Sequence, residues 1–208
     1  EPRLVLEALD EALAARGAPA AARARSLAAR SAALREARRA RAHATDPITP
    51  EWISRCIGEA KDEQTIVVNE YPLRLEHCAF ETAGTYFGLS PAGGLGWGLG
   101  AALGAKLAEP ARTVIATLGD GAYVFANPTA GHWVARAHAL PILTVVFNNS
   151  RWAAVRNATR AMYRDGVAAR TGANLLADLA PSTDYAKLAE ANGGYGERVD
   201  RATALPDA

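Results

Sequence analysis

Two short polar groups stand out as able to do chemistry. Gly119-Asp120-Gly121 closes one apolar run, and Asn148-Asn149 closes another, with 26 residues between the two groups. A carboxylate between two glycines sits on backbone that a ligand can approach closely. Carboxylate, carboxamide and backbone carbonyl oxygens are hard ligands, suited to Mg²⁺ held jointly with phosphate oxygens. A helix opening near Ala122 would turn free N–H groups toward the same place, which favours a phosphate. Each group alone is a common turn or cap; the pair, each directly after a strand, is far more specific.

The elements that must position these groups follow from the flanking sequence. Thr65–Asn69, Thr113–Leu118 and Ile142–Phe147 are short, β-branched apolar runs, and each reads as a buried strand. Helices are expected over 128–139 and 182–191, and an edge strand near Tyr195–Val199. Buried strands alternating with helices predict an α/β fold with a doubly wound parallel sheet. In such sheets ligands gather at the carboxyl ends of the strands, where both polar groups lie. Gly93–Leu107 reads as a tight turn feeding a closely packed helix. That glycine run lacks a Lys-Ser/Thr end, which argues against a nucleotide P-loop. Thr49 is placed to cap a helix with Pro50 at its first position and Trp52, Ile53 and Ile57 facing inward.

Residues 1–42 differ in character. They are rich in Ala, Leu and Arg, and Gly17 and Pro19 divide them into helices expected over 3–16 and 20–42. Nine arginines against five acids give this stretch a net +4, leaving −3 for the remainder of a chain whose total is +1. The basic stretch reads as a solvated helix face, and the total gives no reason to expect nucleic acid or an anionic membrane as partner. The two cysteines, Cys56 and Cys78, fit no metal spacing and suit a reducing, cytoplasmic setting. No apolar run is long enough to span a bilayer. The four histidines are scattered.

The spacing from Gly119 to Asn149 resembles the signature of the thiamine-diphosphate-dependent enzymes of acetolactate synthase, benzoylformate decarboxylase and pyruvate decarboxylase type. The run from Pro91 to Pro110 is similar to the stretch preceding that signature in benzoylformate decarboxylases. The resemblance covers about residues 47–208 and more weakly 1–42. It implies a helical tail of a central domain and linker over 1–46. It also implies a diphosphate- and metal-binding domain over 47–208, ending before its usual final strand.

By position, the resemblance implies Mg²⁺ bound by the Asp120 carboxylate, the Asn149 side-chain oxygen and the Arg151 carbonyl. Leu95 would bend the cofactor, and the Gly93 carbonyl would accept from its 4′-amino group. Gly119, Gly121, Ala122, Trp152 and Ala153 would line the diphosphate, the last four through their backbone. Ala154, Val155 and Ala158 would line the substrate pocket, and Glu70, just past a strand end, is a further candidate for contact to cofactor or substrate. Ala122 stands where several relatives have Ser, and Asn69-Glu70-Tyr71-Pro72-Leu73 where they often place Ser or Thr, so backbone groups would carry more of the binding.

The activity implied is decarboxylation or carboligation of a 2-oxo acid, with an aldehyde as product or second substrate. No residue of this chain is expected to act beyond positioning the cofactor. The activating glutamate of such enzymes belongs to a pyrimidine-binding domain of a neighbouring subunit, in a homodimer or homotetramer. Two other readings are a diphosphate-binding subunit of a split decarboxylase and a non-catalytic cofactor-binding fragment.

Overall fold

The computed structural model describes residues 1–15, 19–88, 92–173 and 176–208. Gly17, expected to divide the first two helices, and Pro91, the first residue of the glycine-rich run, lie outside the described residues. Two compact units are present, Glu1–His43 and Ala44–Ala208.

The first unit contains helices α1 (Pro2–Ala14) and α2 (Pro19–Arg41). α1 carries Leu4, Val5, Leu6, Leu9 and Leu13, all more than half exposed. α2 ends in Arg38, Arg39 and Arg41, cations placed where the partial negative charge of a helix C-terminus favours them.

The second unit opens on α3 (Pro50–Ala60), as its sequence predicts. Thr49 Oγ1 accepts the Trp52 N–H at 3.2 Å, Pro50 fills the first turn, and Ser54 and Ile57 are buried. The Trp52 indole N–H donates to the Ala202 carbonyl at 2.8 Å, and Asp46 accepts from the Ala202 N–H at 2.9 Å. These two bonds tie the start of the unit to its end.

The sheet is built from β1 (Ile66–Glu70), β2 (Tyr86–Phe87), β3 (Val114–Gly119) and β4 (Leu143–Phe147), in the order β2-β1-β3-β4 with every pair parallel. Between the strands run α4 (Trp97–Ala108), α5 (Asp120–Phe125) and α6 (Pro128–Ala137); after β4 come α7 (Ala153–Met162), α8 (Val167–Thr171) and α9 (Tyr185–Ala191). The expected fold class is the observed one.

Side chains alternate across the sheet as strand geometry requires. Ile66, Val68, Val114, Ala116 and Leu118 pack on one face with Leu99, Ala102 and Tyr123. Val67 and Ile115 pack on the other with Ile57, Leu73 and Phe147. Burying each such side chain contributes about 1.5–3 kcal/mol, so the two faces together lock the register. Register then fixes the site: Glu70 lies beside Leu118 and Gly119 beside Phe147, which brings three strand ends to one edge. Asn69 crosslinks the strands, its Oδ1 accepting from Thr117 Oγ1 at 2.9 Å and from the Leu73 N–H at 3.1 Å. Its Nδ2 donates to Tyr86 Oη at 3.1 Å.

One expected element is absent. Tyr195–Val199 forms no strand; Tyr195 is 82% exposed and bonds Glu197, while Arg198 pairs with Asp200. Glycines at 193, 194 and 196, with Gly193 at φ 82°, turn the chain there instead of extending it.

Candidate cofactor and metal site

Asp120 follows β3 directly and is 1% exposed. Its Oδ2 accepts the Arg151 N–H at 3.1 Å, and the backbone N–H groups of Gly121 and Ser150 lie near enough to favour its charged form. Burial raises its pKa above the ordinary carboxylate value, opposed by those same backbone donors. The Arg151 bond is the joint of the site, because it fastens the end of β3 to the loop after β4.

Within that loop the two asparagines separate in role. Asn148 builds the turn: its Oδ1 accepts the Ser150 N–H at 3.0 Å and its Nδ2 donates to Ser182 Oγ at 2.9 Å. Ser150 adopts a left-handed φ of 56°. The Asn149 side chain is exposed, while its backbone carbonyl accepts Arg151 Nε at 3.1 Å.

A short antiparallel return brackets the loop, a feature with no forecast in the sequence. Arg151 bridges Asp178, the Trp152 N–H donates to the Ala177 carbonyl at 2.9 Å, and the Leu179 N–H donates to the Ser150 carbonyl at 2.8 Å. The Ala153 N–H bonds the Arg151 carbonyl at 3.0 Å, leaving that oxygen its second lone pair. The backbone donors of Trp152 and Ala153, expected at the diphosphate, are therefore engaged within the chain. The Trp152 side chain instead packs on Gly121, where a Cβ would overlap the indole ring, and its Nε1 is buried with no partner among the described residues.

Across the edge lies the turn before α4. Gly93 (φ 66°) and Gly94 have open space around them, and Leu95 is 42% exposed. Gly96 (φ 86°) presses on α5, since a Cβ there would stand 2.9 Å from Ala126 Cα. Glu70 holds this turn. Its carboxylate is 1% exposed and accepts the N–H groups of Gly96 at 2.5 Å and Gly98 at 2.7 Å. Glu70 thus points inward and caps α4, which has no cap from its own N-cap side chain, so both carboxylate oxygens are engaged within the chain. Ala154, Val155 and Ala158 are exposed on α7.

Behind α5, Tyr123 is 2% exposed and shares a 2.5 Å hydrogen bond with His132 Nε2 on α6. Its ring meets Tyr185 edge-on at 5.3 Å. Burial pushes the Tyr123 pKa up to about 12 and lowers that of His132. This packing was invisible in the sequence; only the apolar placement of Tyr123 after the Asp120 turn hints at it. His77 is buried elsewhere, and no cluster of three His, Cys, Asp or Glu side chains able to hold a metal occurs among the described residues. No described helix is long and apolar enough to cross a membrane.

The donor set fits a hard cation with a diphosphate. A buried carboxylate at the end of β3 is bonded to the loop that carries an exposed carboxamide and a carbonyl, and the backbone at Gly93, Gly94 and Gly119 is open on its side-chain side.

Comparison with known proteins decides the family. The family described as thiamine pyrophosphate enzyme, C-terminal TPP binding domain, matches residues 73–208. The chain belongs to that family. It is 35% identical over 116 residues to a probable acetolactate synthase of Mycobacterium bovis, covering 56% of this chain and 19% of that protein. It is 32% identical over 114 residues to benzoylformate decarboxylase of Pseudomonas aeruginosa, covering 53% and 21%. Among solved structures, the thiamine diphosphate-dependent 4-hydroxybenzoylformate decarboxylase of Rhodococcus jostii RHA1 superposes with a TM-score of 0.67 at 28% identity, covering 77% of this chain and 29% of that one. The match thus spans about a fifth of the length of these curated relatives.

Proposed function

We propose that the protein is a thiamine-diphosphate- and Mg²⁺-dependent enzyme acting on 2-oxo acids, by decarboxylation, carboligation or both. The observation that carries this reading is the Asp120–Arg151 bond, which brings the two polar groups together by joining the end of β3 to the loop after β4. The names of the relatives, acetolactate synthase and benzoylformate decarboxylase, support the substrate class.

Asp120, the Asn149 carboxamide and the Arg151 carbonyl would hold Mg²⁺, and the metal would hold the diphosphate. Gly93 and Leu95 would meet the remainder of the cofactor, with Leu95 supplying apolar surface that is exposed in the chain by itself. Bound thiamine diphosphate supplies the electron sink that lets a 2-oxo acid lose CO₂. The protein's part is to hold, orient and keep water away. Ala154, Val155 and Ala158 on the outer face of α7 offer short side chains beside that loop, leaving room for the substrate. A pyrimidine-binding domain of a neighbouring subunit would complete the centre in a homodimer or homotetramer.

Calorimetric titration of the full-length protein with thiamine diphosphate, with and without Mg²⁺, tests this. Asp120→Ala should weaken Mg²⁺-dependent binding by more than about 100-fold, since loss of a mere outer partner of a metal site costs 10–100-fold. Retained tight binding would refute the assignment.

A further inference from the structure

The loop that carries two of the three proposed metal ligands adopts a conformation that its residues do not favour by themselves. Ser150 separates Asn149 from Arg151, and its φ of 56° lies in the left-handed region. A residue with a Cβ is sterically disfavoured there, so the surroundings must hold it. Two bonds do so. The Ser150 carbonyl accepts the Leu179 N–H at 2.8 Å, and the Ser150 N–H donates to Asn148 Oδ1 at 3.0 Å. The second bond is only as firm as the carboxamide that makes it. Asn148 is exposed, and an untethered carboxamide there would turn between rotamers. Its Nδ2, however, donates to Ser182 Oγ at 2.9 Å, 34 residues further along the chain, which fixes both ends of the carboxamide.

Ser182 is itself a fixed point. It lies midway between Leu179, bonded to Ser150, and Tyr185, whose ring meets that of Tyr123 edge-on at 5.3 Å. Tyr123 is buried in α5, the helix whose first residue is Asp120. The segment from Leu179 to Tyr185 therefore has one end on the loop of Asn149 and Arg151 and the other on the helix of Asp120. It braces the two elements that bring the ligands together, and Ser182 is where that brace reaches Asn148.

We propose, building on the cofactor assignment above, that Ser182 is a positioning residue for the metal site. Its hydroxyl orients the Asn148 carboxamide, which holds Ser150 left-handed and so keeps the Asn149 side chain and the Arg151 carbonyl in step with Asp120. Ser182 needs no contact with metal or cofactor to do this, and it brings no charge; it acts through geometry alone. Its effect should therefore depend on how exacting the cation is. Mg²⁺ demands a near-ideal octahedron, whereas Ca²⁺ accepts irregular and larger coordination. A loosened loop weakens the first more than the second, and a general loss of stability weakens both alike.

The test is calorimetric titration of Mg²⁺, and separately of Ca²⁺, into the full-length protein with thiamine diphosphate present, against a protein-free blank. Ser182→Ala should weaken Mg²⁺ binding by about tenfold or more, the usual effect of losing an outer partner of a metal site, and Ca²⁺ binding by clearly less. Ser182→Thr, which keeps the hydroxyl, should retain most of the Mg²⁺ affinity. Wild-type protein without Mg²⁺-dependent cofactor binding overturns the cofactor assignment and this role with it. Where the wild type binds, the role alone is overturned if Ser182→Ala leaves Mg²⁺ affinity unchanged, weakens both cations equally or loses the native circular dichroism spectrum. It is overturned as well if Ser182→Thr binds Mg²⁺ no better than Ser182→Ala.

Discussion

Removing the Glu70 carboxylate should destabilise the second unit more than most single substitutions at its surface or ends. Both oxygens are used, at 2.5 Å to the Gly96 N–H and 2.7 Å to the Gly98 N–H, in a side chain only 1% exposed. A hydrogen bond to a charged group contributes roughly 1.5–3 kcal/mol, and the charge also complements the start of α4, an overlapping effect that should not be added again. Glu70→Ala removes both bonds and leaves two helix N–H groups without a cap, a loss of about 4 kcal/mol against a typical domain stability of about 5–15 kcal/mol. Glu70→Gln keeps one acceptor but sets its NH₂ against the other N–H donor, costing about 2 kcal/mol. With a urea slope of about 2 kcal/mol/M, the midpoint should fall by about 2 M for Ala and about 1 M for Gln. Equilibrium urea unfolding followed by circular dichroism reads both. A shift under about 0.3 M for Glu70→Ala would show that the carboxylate is not holding the helix, and an unshifted Glu70→Gln beside a shifted Glu70→Ala would point to lost volume instead of a lost cap.

Gly121→Ala places a methyl group on the Trp152 indole, so it should cost about 1–3 kcal/mol as overpacking. The double variant Gly121→Ala, Trp152→Ala should be less destabilised than the two single effects added together. Thermal unfolding of the four proteins checks this, and strict additivity would refute the contact. Burial lowers the pKa of His132 below its ordinary 6.5. The unfolded chain then binds more protons than the folded one between the two values, so stability is complete above 6.5 and declines as pH falls below it toward the folded value. Urea midpoints from about pH 5 to 8 should show that slope, and His132→Gln should flatten it; an unchanged slope would assign the effect to other groups.

The parts of the site legible in the sequence are those written locally. β3 reads as an apolar run because it is buried along nearly its whole length; β4, expected to be buried as well, lies at the end of the described sheet with Leu143 exposed and only Phe147 buried, and Asp120 and Asn148-Asn149 follow the two strands. Parallel pairing then aligns strand ends without further information. What remained hidden depends on partners far away in the chain. Glu70 caps a helix 28 positions further on, and no local rule links a strand-end carboxylate to the N–H of Gly98. Asn148 and Asn149 look equivalent in the sequence and both are exposed, but only Asn148 uses its side chain to build the turn at Ser150. The expected strand at Tyr195–Val199 gives way to a turn because of the glycines around it. β2 is only two residues long and offers no periodicity to read.

The antiparallel return at Ala177–Leu179 has a consequence for engineering. Both ends of the excursion through α7 and α8 are pinned, one at Ser150–Trp152 and the other at the return that pairs with it. A segment fixed at neighbouring ends behaves as an exchangeable cassette. Helices of other lengths and side chains could be exchanged between those ends while the bonds around Asp120 stay as they are.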